Sequence, residues 1–415
     1  MKTNFIISAG HDIRLLPFSP VCECDTLEIR VQGYNNGEEG EVPVCIKIDD
    51  EIIFSESIHV KGSAYGFCRC HVPMQGRCGT HTVSVNGETV SLKVYKEPLA
   101  KLDGGFIMIG PPNDRIQVSP FREDLKAFTD ANWREYIEKL AEIGCQCIVF
   151  HNCQEYLRLY DTEKPKPETI AAHYPSGLHP KSDIRSEDPI GVILETAQNH
   201  NMHVFLSVGN CYGHTNFDDD FYEMHAIYGK YTSFYGWYLT NEVNMSRTGL
   251  EGWEILRHQC EVIREISPVK PILISPFDYP CALVLEYLKT HDVFDIMMPQ
   301  DCVGSGRFDL KRSAEMHKIL GEICTSIQKH FWANCEAFNF KEKLLVPRFK
   351  DGGMDGESGF IQQIETVRPF VEKIMNFAYT GFFTPPGFFP KLGGEAAVKQ
   401  YEEYRKYYQK IGERI

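Results

Sequence analysis

The sequence lacks the features that would assign it to a membrane or nucleic-acid-binding class. No run of about 18 apolar residues is present, the length that a membrane-spanning helix needs, so no transmembrane segment is predicted. Positive charge is in short supply, because 43 lysines and arginines stand against 57 aspartates and glutamates, and the net charge is −14. Such an acidic chain repels phosphate backbones, which argues against nucleic acid as a partner.

An export signal is also missing from the first residues. The apolar stretch 5–7 is too short for the core of a signal peptide, and Asp12 and Arg14 follow it closely. We therefore expect a cytoplasmic protein.

The 15 cysteines follow no zinc-binding pattern, because CxxC pairs are absent from the sequence. Alternation along a strand would turn both members of a CxC pair to the same face. Three such pairs occur: Cys22/Cys24, Cys68/Cys70 and Cys145/Cys147. We expect free thiols in a reducing compartment, with disulfides as the alternative, and neither a metal ion nor a cofactor.

Residues 1–98 show short alternating segments separated by turn residues, with no helical period. Examples are TLEIRVQG, VPVCIKID and HTVSVNGETVSLKVY. Turn residues recur at intervals of about 8–12 residues, which is typical of an all-β sandwich. The sequence therefore predicts an immunoglobulin-like sandwich domain over 1–98. The stretch KEPLAKLDGG is the predicted linker to a second domain that covers 99–415.

From Gly104 onward, apolar runs alternate with amphipathic helical stretches. Continuous apolar runs predict parallel strands that are buried on both faces. The predicted strands are 105–110, 145–151, 203–209, 234–240, 271–276, 294–300, 331–337 and 377–383, and the helices between and after them lie near 131–143, 188–200, 218–231, 249–266, 281–290, 309–329, 360–375 and 394–413. Eight such units predict an α/β fold of the (β/α)8 TIM-barrel type. The alternative, an open doubly wound sheet, needs a glycine-rich first turn that GFIMIGPPND lacks.

Polar residues that follow the strands of a barrel meet at one end of it. In strand order, the candidates are His151 and Asn152, then Asn210 and Tyr212, then Asn241 and Glu242, then Gln300 and Asp301, and finally Glu336 and Phe338. Glu242 and Glu336 stand out because each follows an apolar strand, FYGWYLTNE or FWANCE, where a carboxylate is costly unless it faces a cavity or is well bonded. A pair of carboxyl groups is what hydrolysis of a glycosidic bond requires, since one protonates the leaving oxygen and the other attacks the anomeric carbon or activates water.

The Asn-Glu after strand four and the Glu that ends strand seven resemble the clan of (β/α)8 retaining glycoside hydrolases whose catalytic glutamates lie on those strands. More narrowly, GWYLTNEV, ISPF, PQDCVG and WANCEAF look like an uncharacterised bacterial family of glycosidase-like barrels. The resemblance covers residues about 103–410 and leaves out the β-domain. It implies a carbohydrate substrate, Glu242 as general acid/base, Glu336 as nucleophile and Asn241 as the partner of the sugar 2-hydroxyl.

The sequence departs from the clan elsewhere. The predicted strand eight, FAYTGFFTPP, has no terminal tryptophan, and the arginine that the clan often places near the barrel mouth is not evident. A protonated acid needs a dry surround that raises its pKa, and Trp237 and Trp332 are candidates for that surround and for contacts with the substrate.

Each candidate also has a structural interpretation. Glu242 could cap the next helix, Gln300 and Asp301 could bond only to backbone at a loop start, and His151 could be a packed core histidine. The run 304–307, GSGR, is read as a loop and not as a phosphate site, because barrel phosphate sites favour strands seven and eight. Two other classes of function stay open: a non-catalytic carbohydrate-binding or scaffold protein, and an aldolase-like barrel. The latter is disfavoured because none of the predicted strands ends in the lysine that Schiff-base chemistry needs.

Overall fold

The computed structural model describes residues 5–7, 21–35, 38–62, 64–86, 88–109, 122–156, 170–209, 217–341, 344–348 and 359–412. The chain divides into two compact units, one formed by Met1–Leu99 with Ile263–Pro271 and the other by Ala100–Val262 with Ile272–Ile415. None of the described helices combines the length and the apolar character needed to cross a membrane.

The first unit consists of two β-sheets. Its strands are β1 (Phe5–Ile7), β2 (Val21–Cys22), β3 (Thr26–Asn35), β4 (Gly40–Ile48), β5 (Glu51–Val60), β6 (Ala64–Pro73), β7 (Gly79–Val85) and β8 (Glu88–Tyr95). One sheet has the order β1-β3-β6 and the other the order β2-β8-β7-β4-β5. Residues from both sheets belong to one hydrophobic core, to which β4 contributes Val44, Ile46 and Ile48 at alternate positions. This alternation is what a strand with one buried face produces.

The second unit contains a closed barrel of eight strands. In chain order these are β9 (Gly104–Ile107), β10 (Cys147–Phe150), β13 (His203–Val208), β14 (Phe234–Leu239), β15 (Ile272–Ile274), β16 (Ile296–Met297), β17 (His330–Glu336) and β20 (Lys373–Phe377). Every neighbouring pair is parallel. The predicted α/β barrel is therefore confirmed. Two hairpins follow the second and seventh barrel strands: β11 (Gln154–Tyr156) with β12 (Ile170–Ala172), and β18 (Phe338–Lys341) with β19 (Leu344–Pro347).

Nine helices of the described residues lie between and after these strands. They are α1 (Arg122–Ala127), α2 (Asp130–Glu142), α3 (Pro189–Asn199), α4 (Asp218–Tyr228), α5 (Glu251–Ile266), α6 (Ala282–Thr290), α7 (Leu310–Ser326), α8 (Phe360–Val367) and α9 (Gly394–Gly412). Two of them start at clear capping signals. Thr129 and Asn132 form a capping box at α2, and the Asp309 carboxylate accepts the Arg312 N–H at the start of α7.

The predicted position of strand eight is wrong. The strand spans Lys373–Phe377, and the helix expected over 360–375 ends at Val367. Lys373 and Asn376 are buried in this strand, and these polar residues break the continuous apolar pattern on which the prediction relied. The apolar run that follows Phe377 is buried as well, but it forms turns.

Asp103 closes the barrel at the amino ends of the first and last strands. Its carboxylate accepts hydrogen bonds from Lys101 Nζ at 2.8 Å and from the Ile374 N–H at 2.9 Å. Its backbone carbonyl accepts the Gln146 N–H at 2.8 Å, just before β10. One buried aspartate therefore bonds to residues of three adjacent parts of the barrel.

Candidate functional site

The two candidate glutamates lie at the carboxyl ends of barrel strands. Glu336 is the last residue of β17 and is only 4% exposed. Glu242 comes three residues after the end of β14 and is half-buried. Both positions are those where (β/α)8 barrels carry reactive side chains.

One short segment, residues 300–305, donates a hydrogen bond to each glutamate. This 300–305 segment follows β16. Gln300 Nε2 donates to Glu242 Oε1 at 2.9 Å. The backbone N–H of Ser305 donates to Glu336 Oε2 at 2.6 Å. The same loop therefore orients both carboxyl groups, although 94 residues separate them in the chain (336 − 242).

Asp301 sits behind Glu336 rather than at an open surface, because it is fully buried. Its Oδ1 accepts the backbone N–H of Glu336 at 3.1 Å and that of Val303 at 3.3 Å. Gln363 on α8 donates to its other oxygen. These bonds hold the backbone of Glu336 in place. Asp301 therefore bonds to backbone and to Gln363 in the described site, and this is a structural role.

Gly304 allows the 300–305 segment to lie directly on β17. A Cβ atom at this position would stand 2.2 Å from the carbonyl oxygen of Phe338 and 2.7 Å from Cβ of Glu336. Neither atom is the end of a flexible side chain, so neither can yield without a backbone shift. The glycine is therefore required by the close approach of the loop that holds Glu336.

Two buried carboxyl groups and one buried cation set the electrostatics at this end of β17. Burial and the neighbouring Asp301 raise the pKa of Glu336, while the Ser305 N–H and the Arg348 guanidinium act to lower it. Burial likewise raises the pKa of Asp301, against the backbone N–H of Glu336 and the charge of Arg348. The two acids share a dry region in which ionisation of one disfavours ionisation of the other.

The electrostatic surround of Glu242 is simpler. Burial raises the pKa of its carboxyl group, and the hydrogen bond from Gln300 lowers it in part. The net shift is upward. A carboxyl group of this kind retains its proton closer to neutral pH than an exposed glutamate does.

Aromatic rings from several barrel strands pack against one another. Phe106 of β9 contacts Tyr238 of β14 with ring centroids 5.1 Å apart, which places both rings in the barrel interior, since three strand steps separate β9 from β14 around the barrel. Phe377, the last residue of β20, lies 5.3 Å from His151 and 6.1 Å from Phe338. Phe377 is half-buried, and the ring of this residue gives the cluster a partly open apolar face.

His151 and Asn152 lie at the end of the second barrel strand, as expected. Burial lowers the pKa of His151 to about 4, so its ring is neutral at neutral pH. Its Nδ1 lies 3.3 Å from Oδ1 of Asn152. The Asn152 amide donates to the carbonyl of Gln154 at 2.9 Å and is buried, so Asn152 supports the loop that begins there.

The two tryptophans are buried away from any open surface of the described residues. Trp237 is 0% exposed and packs edge-on against Phe221 of α4, outside the barrel wall. Trp332 lies four positions before Glu336 on the same strand. It is also 0% exposed and packs on Phe205. Neither ring is placed where it could touch a substrate at the barrel end.

Of the remaining predicted contacts, Asn241 belongs to the residues that the structure describes. Asn241 is half-buried, and its Nδ2 atom is shielded from solvent without a hydrogen-bond partner among the residues that the structure describes. Asn210 and Tyr212 lie outside the described residues.

Sequence reasoning missed four residues that shape the site: Ser305, Arg348, Gln363 and Phe377. Ser305 falls in the GSGR run, which was correctly read as a loop, but nothing in that run indicates that its backbone N–H would meet Glu336. Phe377 was missed because strand eight was predicted to start at 377, where the observed strand ends. Arg348 supplies a cation near the site from the chain just after β19, a position that spacing alone does not reveal.

Potential metal ligands do not converge at this end of the barrel within the described part of the chain. Among those residues one group of potential ligands converges: Cys22, Cys24 and Asp25 of the first unit.

Comparisons with known proteins identify first a shared fold and then the family. The barrel has the fold of glycoside hydrolases: the chain is similar, at 18% identity and a TM-score of 0.54, to a structure described as "putative alpha-L-fucosidase" from Bacteroides thetaiotaomicron, covering 74% of this chain and 93% of that one. At 11% identity and TM-scores of 0.41 and 0.46, it also aligns with a β-galacturonidase from Eisenbergiella tayi (93% of this chain, 69% of that one) and a β-glucuronidase from Bacteroides uniformis (98% and 49%).

Residues 102–389 match the model of the family described as "Domain of unknown function (DUF4434)", and the chain belongs to that family. A search of curated proteins gives no match.

Proposed function

We propose that the protein is a retaining glycoside hydrolase that acts on a carbohydrate, with Glu242 as general acid/base and Glu336 as nucleophile. The observation that carries the proposal is that the 300–305 segment hydrogen-bonds to both carboxyl groups. A loop shared in this way restricts both side chains at the end of one barrel. In a retaining enzyme we expect the two carboxyl groups to lie about 5–5.5 Å apart.

The proposed reaction has two balanced steps. In the first, Glu336 attacks the anomeric carbon while Glu242 transfers its proton to the leaving glycosidic oxygen, and the bond between that carbon and oxygen breaks. In the second, Glu242, now a carboxylate, takes a proton from water, whose oxygen attacks the same carbon and releases Glu336. The sugar leaves with its original anomeric configuration.

The shifted pKa values bear on the two roles differently. A raised pKa suits Glu242 as the acid, since the acid must hold a proton at working pH. Glu336 must ionise to attack, and the Ser305 N–H and Arg348 favour that form against burial and Asp301. Positive charge that develops on the sugar ring in the transition state adds to the stabilisation of the carboxylate.

Substrate contacts are proposed for groups at the same end of the barrel as the two glutamates. The Asn241 amide would bond the sugar 2-hydroxyl, and Gln300 would reach a neighbouring hydroxyl while it holds Glu242. Neutral His151 can donate or accept one hydrogen bond. The half-buried face of Phe377 offers a flat apolar surface for the C–H face of a sugar ring. Asn210, Tyr212 and Phe338 stay candidates for the surrounding wall.

The test is a panel of activated aryl glycosides assayed with the wild-type protein and the variants Glu242→Gln and Glu336→Gln. We expect both variants to lose more than about a hundredfold in kcat on the substrate that wild type prefers. The Glu336→Gly variant with added azide should release a glycosyl azide of inverted configuration, because azide replaces the missing nucleophile from the same face. Normal turnover by Glu336→Gln would overturn the nucleophile assignment.

A non-catalytic carbohydrate-binding protein is the second candidate. It is favoured by the burial of Glu336, because burial raises the pKa of this carboxyl group and a nucleophile must be ionised. In that case calorimetry would detect sugar binding while no glycoside of the panel turns over.

We also propose a division of labour along the chain. Residues 1–98 would form an immunoglobulin-like sandwich that acts as a structural accessory, and residues 99–415 would form the catalytic barrel. The partner of the protein would be its carbohydrate substrate, and neither nucleic acid nor a membrane is proposed as a partner. The cytoplasm is the expected location. Expressing residues 99–415 alone and comparing its kcat/KM with that of the whole chain tests whether the accessory affects catalysis.

A further inference from the structure

Three potential metal ligands converge in the turn that joins β2 to β3, well apart in the sequence from the glutamates. One ligand atom each from Cys22, Cys24 and Asp25 lies within 4.8 Å of the other two. This is the one such convergence within the described part of the chain. The sequence analysis set zinc aside because CxxC pairs are missing, but a CxCD turn brings its ligands together by a different spacing.

Hydrogen bonds from the backbone to a carbonyl and to the Asp25 carboxylate hold the turn. The Asp25 N–H donates to the carbonyl of Cys22 at 3.0 Å, and the Cys22 N–H donates to Asp25 Oδ2 at 2.8 Å. The second bond orients the carboxylate, as an outer-sphere contact does for a metal-bound aspartate. Oδ1 of the same carboxylate lies 3.9 Å from Sγ of Cys24. In tetrahedral zinc sites the Zn–S distance is about 2.3 Å and Zn–O about 2.0–2.2 Å, so sub-ångström shifts would complete the geometry.

Accessibility and charge both suit an incoming cation. Cys22 is buried, Cys24 is exposed and Asp25 is half-buried, so one side of the group opens to solvent. These acidic groups repel one another when ionised, and a divalent cation placed between them would remove that repulsion.

We propose that Cys22, Cys24 and Asp25 form a binding site for a thiophilic divalent cation of the zinc type. Two thiolates and one carboxylate are ligands that zinc accepts in tetrahedral sites, and the exposed side leaves the fourth position for water. Binding exchanges charge in a balanced way: the cation enters and two thiol protons leave. The site is independent of the proposed hydrolase activity.

The test is titration of the reduced full-length protein with Co²⁺ and with Zn²⁺ in the presence of a competing chromophoric chelator. We expect thiolate-to-cobalt absorption at one equivalent and release of protons on binding. Cys24→Ser should abolish the absorption and weaken Zn²⁺ binding by more than about tenfold. Asp25→Asn should weaken it too, while its amide oxygen can still accept the Cys22 N–H and keep the turn.

Cys78→Ser is the matched control, because Cys78 is exposed like Cys24 and lies in the same unit outside the convergent group. It should bind both cations as wild type does. Circular dichroism of each variant checks that the fold is kept. Equal affinity of wild type and Cys24→Ser, or equal losses in Cys24→Ser and Cys78→Ser, would overturn the site.

Discussion

The backbone N–H of Glu336 donates to Oδ1 of Asp301 at 3.1 Å, so a second buried carboxyl group holds the main chain of the proposed nucleophile. Asp301 therefore has two opposite effects. It fixes the position of Glu336, and its negative charge raises the pKa of Glu336. Arg348 offsets part of that charge. The balance among these three groups decides whether Glu336 is ionised when substrate arrives.

Asp301→Asn removes the charge and retains an oxygen that can accept the Glu336 N–H. Loss of the neighbouring charge lowers the pKa of Glu336, so its ionised form persists to lower pH. If Glu336 is the nucleophile, the acidic limb of the kcat/KM profile should move to lower pH, because that limb reports ionisation in the free enzyme. The profile is measured on the best aryl glycoside.

Asp309→Asn is the matched control, since Asp309 is an exposed helix cap shortly beyond the same segment, and asparagine caps equally well. It should leave the profile unchanged. A downward shift of the alkaline limb in Asp301→Asn would instead make Glu336 the acid and reverse the two roles.

Gln300→Leu removes the hydrogen bond that lowers the pKa of Glu242. The pKa of Glu242 should rise further, so the acid keeps its proton to higher pH and the alkaline limb of kcat/KM should move upward. Gln362→Leu, an exposed substitution on α8, serves as the control. Movement of the limb to lower pH would contradict Glu242 as the proton donor.

Gly304→Ala should disturb both stability and catalysis. The added methyl group collides with the Phe338 carbonyl and with Glu336, so the loop or the strand must shift. We expect a loss of about 1–3 kcal/mol in the free energy of unfolding, measured with urea. A displacement near 1 Å at Glu336 should also reduce kcat/KM by about a hundredfold. Gly249→Ala has nothing within 4 Å of the new carbon and should change neither quantity.

Asp103→Asn tests the closure of the barrel. Burial acts to raise the pKa of Asp103, but Lys101, Lys373 and Arg368 together lower it below the ordinary value. A carboxyl group of this kind contributes stability in full above its unfolded pKa of about 3.9, and that stability is lost as the pH falls through the lower folded pKa. The variant should lose about 3–5 kcal/mol at neutral pH because Lys101 is left buried without its partner carboxylate.

Urea unfolding between pH 2 and pH 7 measures this contribution. Wild type should lose stability more steeply than the variant at the acid end, so the two curves should converge there. Asp183→Asn is the control, because Asp183 is 91% exposed where it pairs with Lys126, and it should have little effect. Parallel curves for wild type and Asp103→Asn would show that Asp103 does not titrate with folding.

Local sequence patterns were sufficient to predict the barrel and its first seven strands. Runs such as HVFLSV and FYGWYL are buried at every position, and burial on both faces is what makes parallel strands readable in a sequence. Helices with caps were located nearly to the residue, as at Asp309 for α7. The two glutamates were found because a charged residue at the end of such a strand needs a special environment.

The supporting groups could not be found in this way, because they are defined by contacts between distant parts of the chain. Gln363 reaches Asp301 from a helix 62 residues later in the chain. Arg348 reaches the same region by way of a hairpin whose path no local pattern predicts. Strand eight was misplaced because its buried Lys373 belongs to the charge cluster around Asp103. In a sequence, a charged residue of this kind indicates an exposed position, and only the folded structure shows that its charge is paired.

A loop that bonds to both carboxyl groups also makes them thermodynamically linked. An uncharged sugar analogue that displaces Gln300 from Glu242 would shift the 300–305 segment, which also bonds to Glu336. The proton affinity of Glu336 would therefore change. By reciprocity, deprotonating Glu336 would alter the affinity of that analogue by the same factor. Binding of the analogue at the barrel end and the protonation of Glu336 would then be coupled, so that each changes with the other.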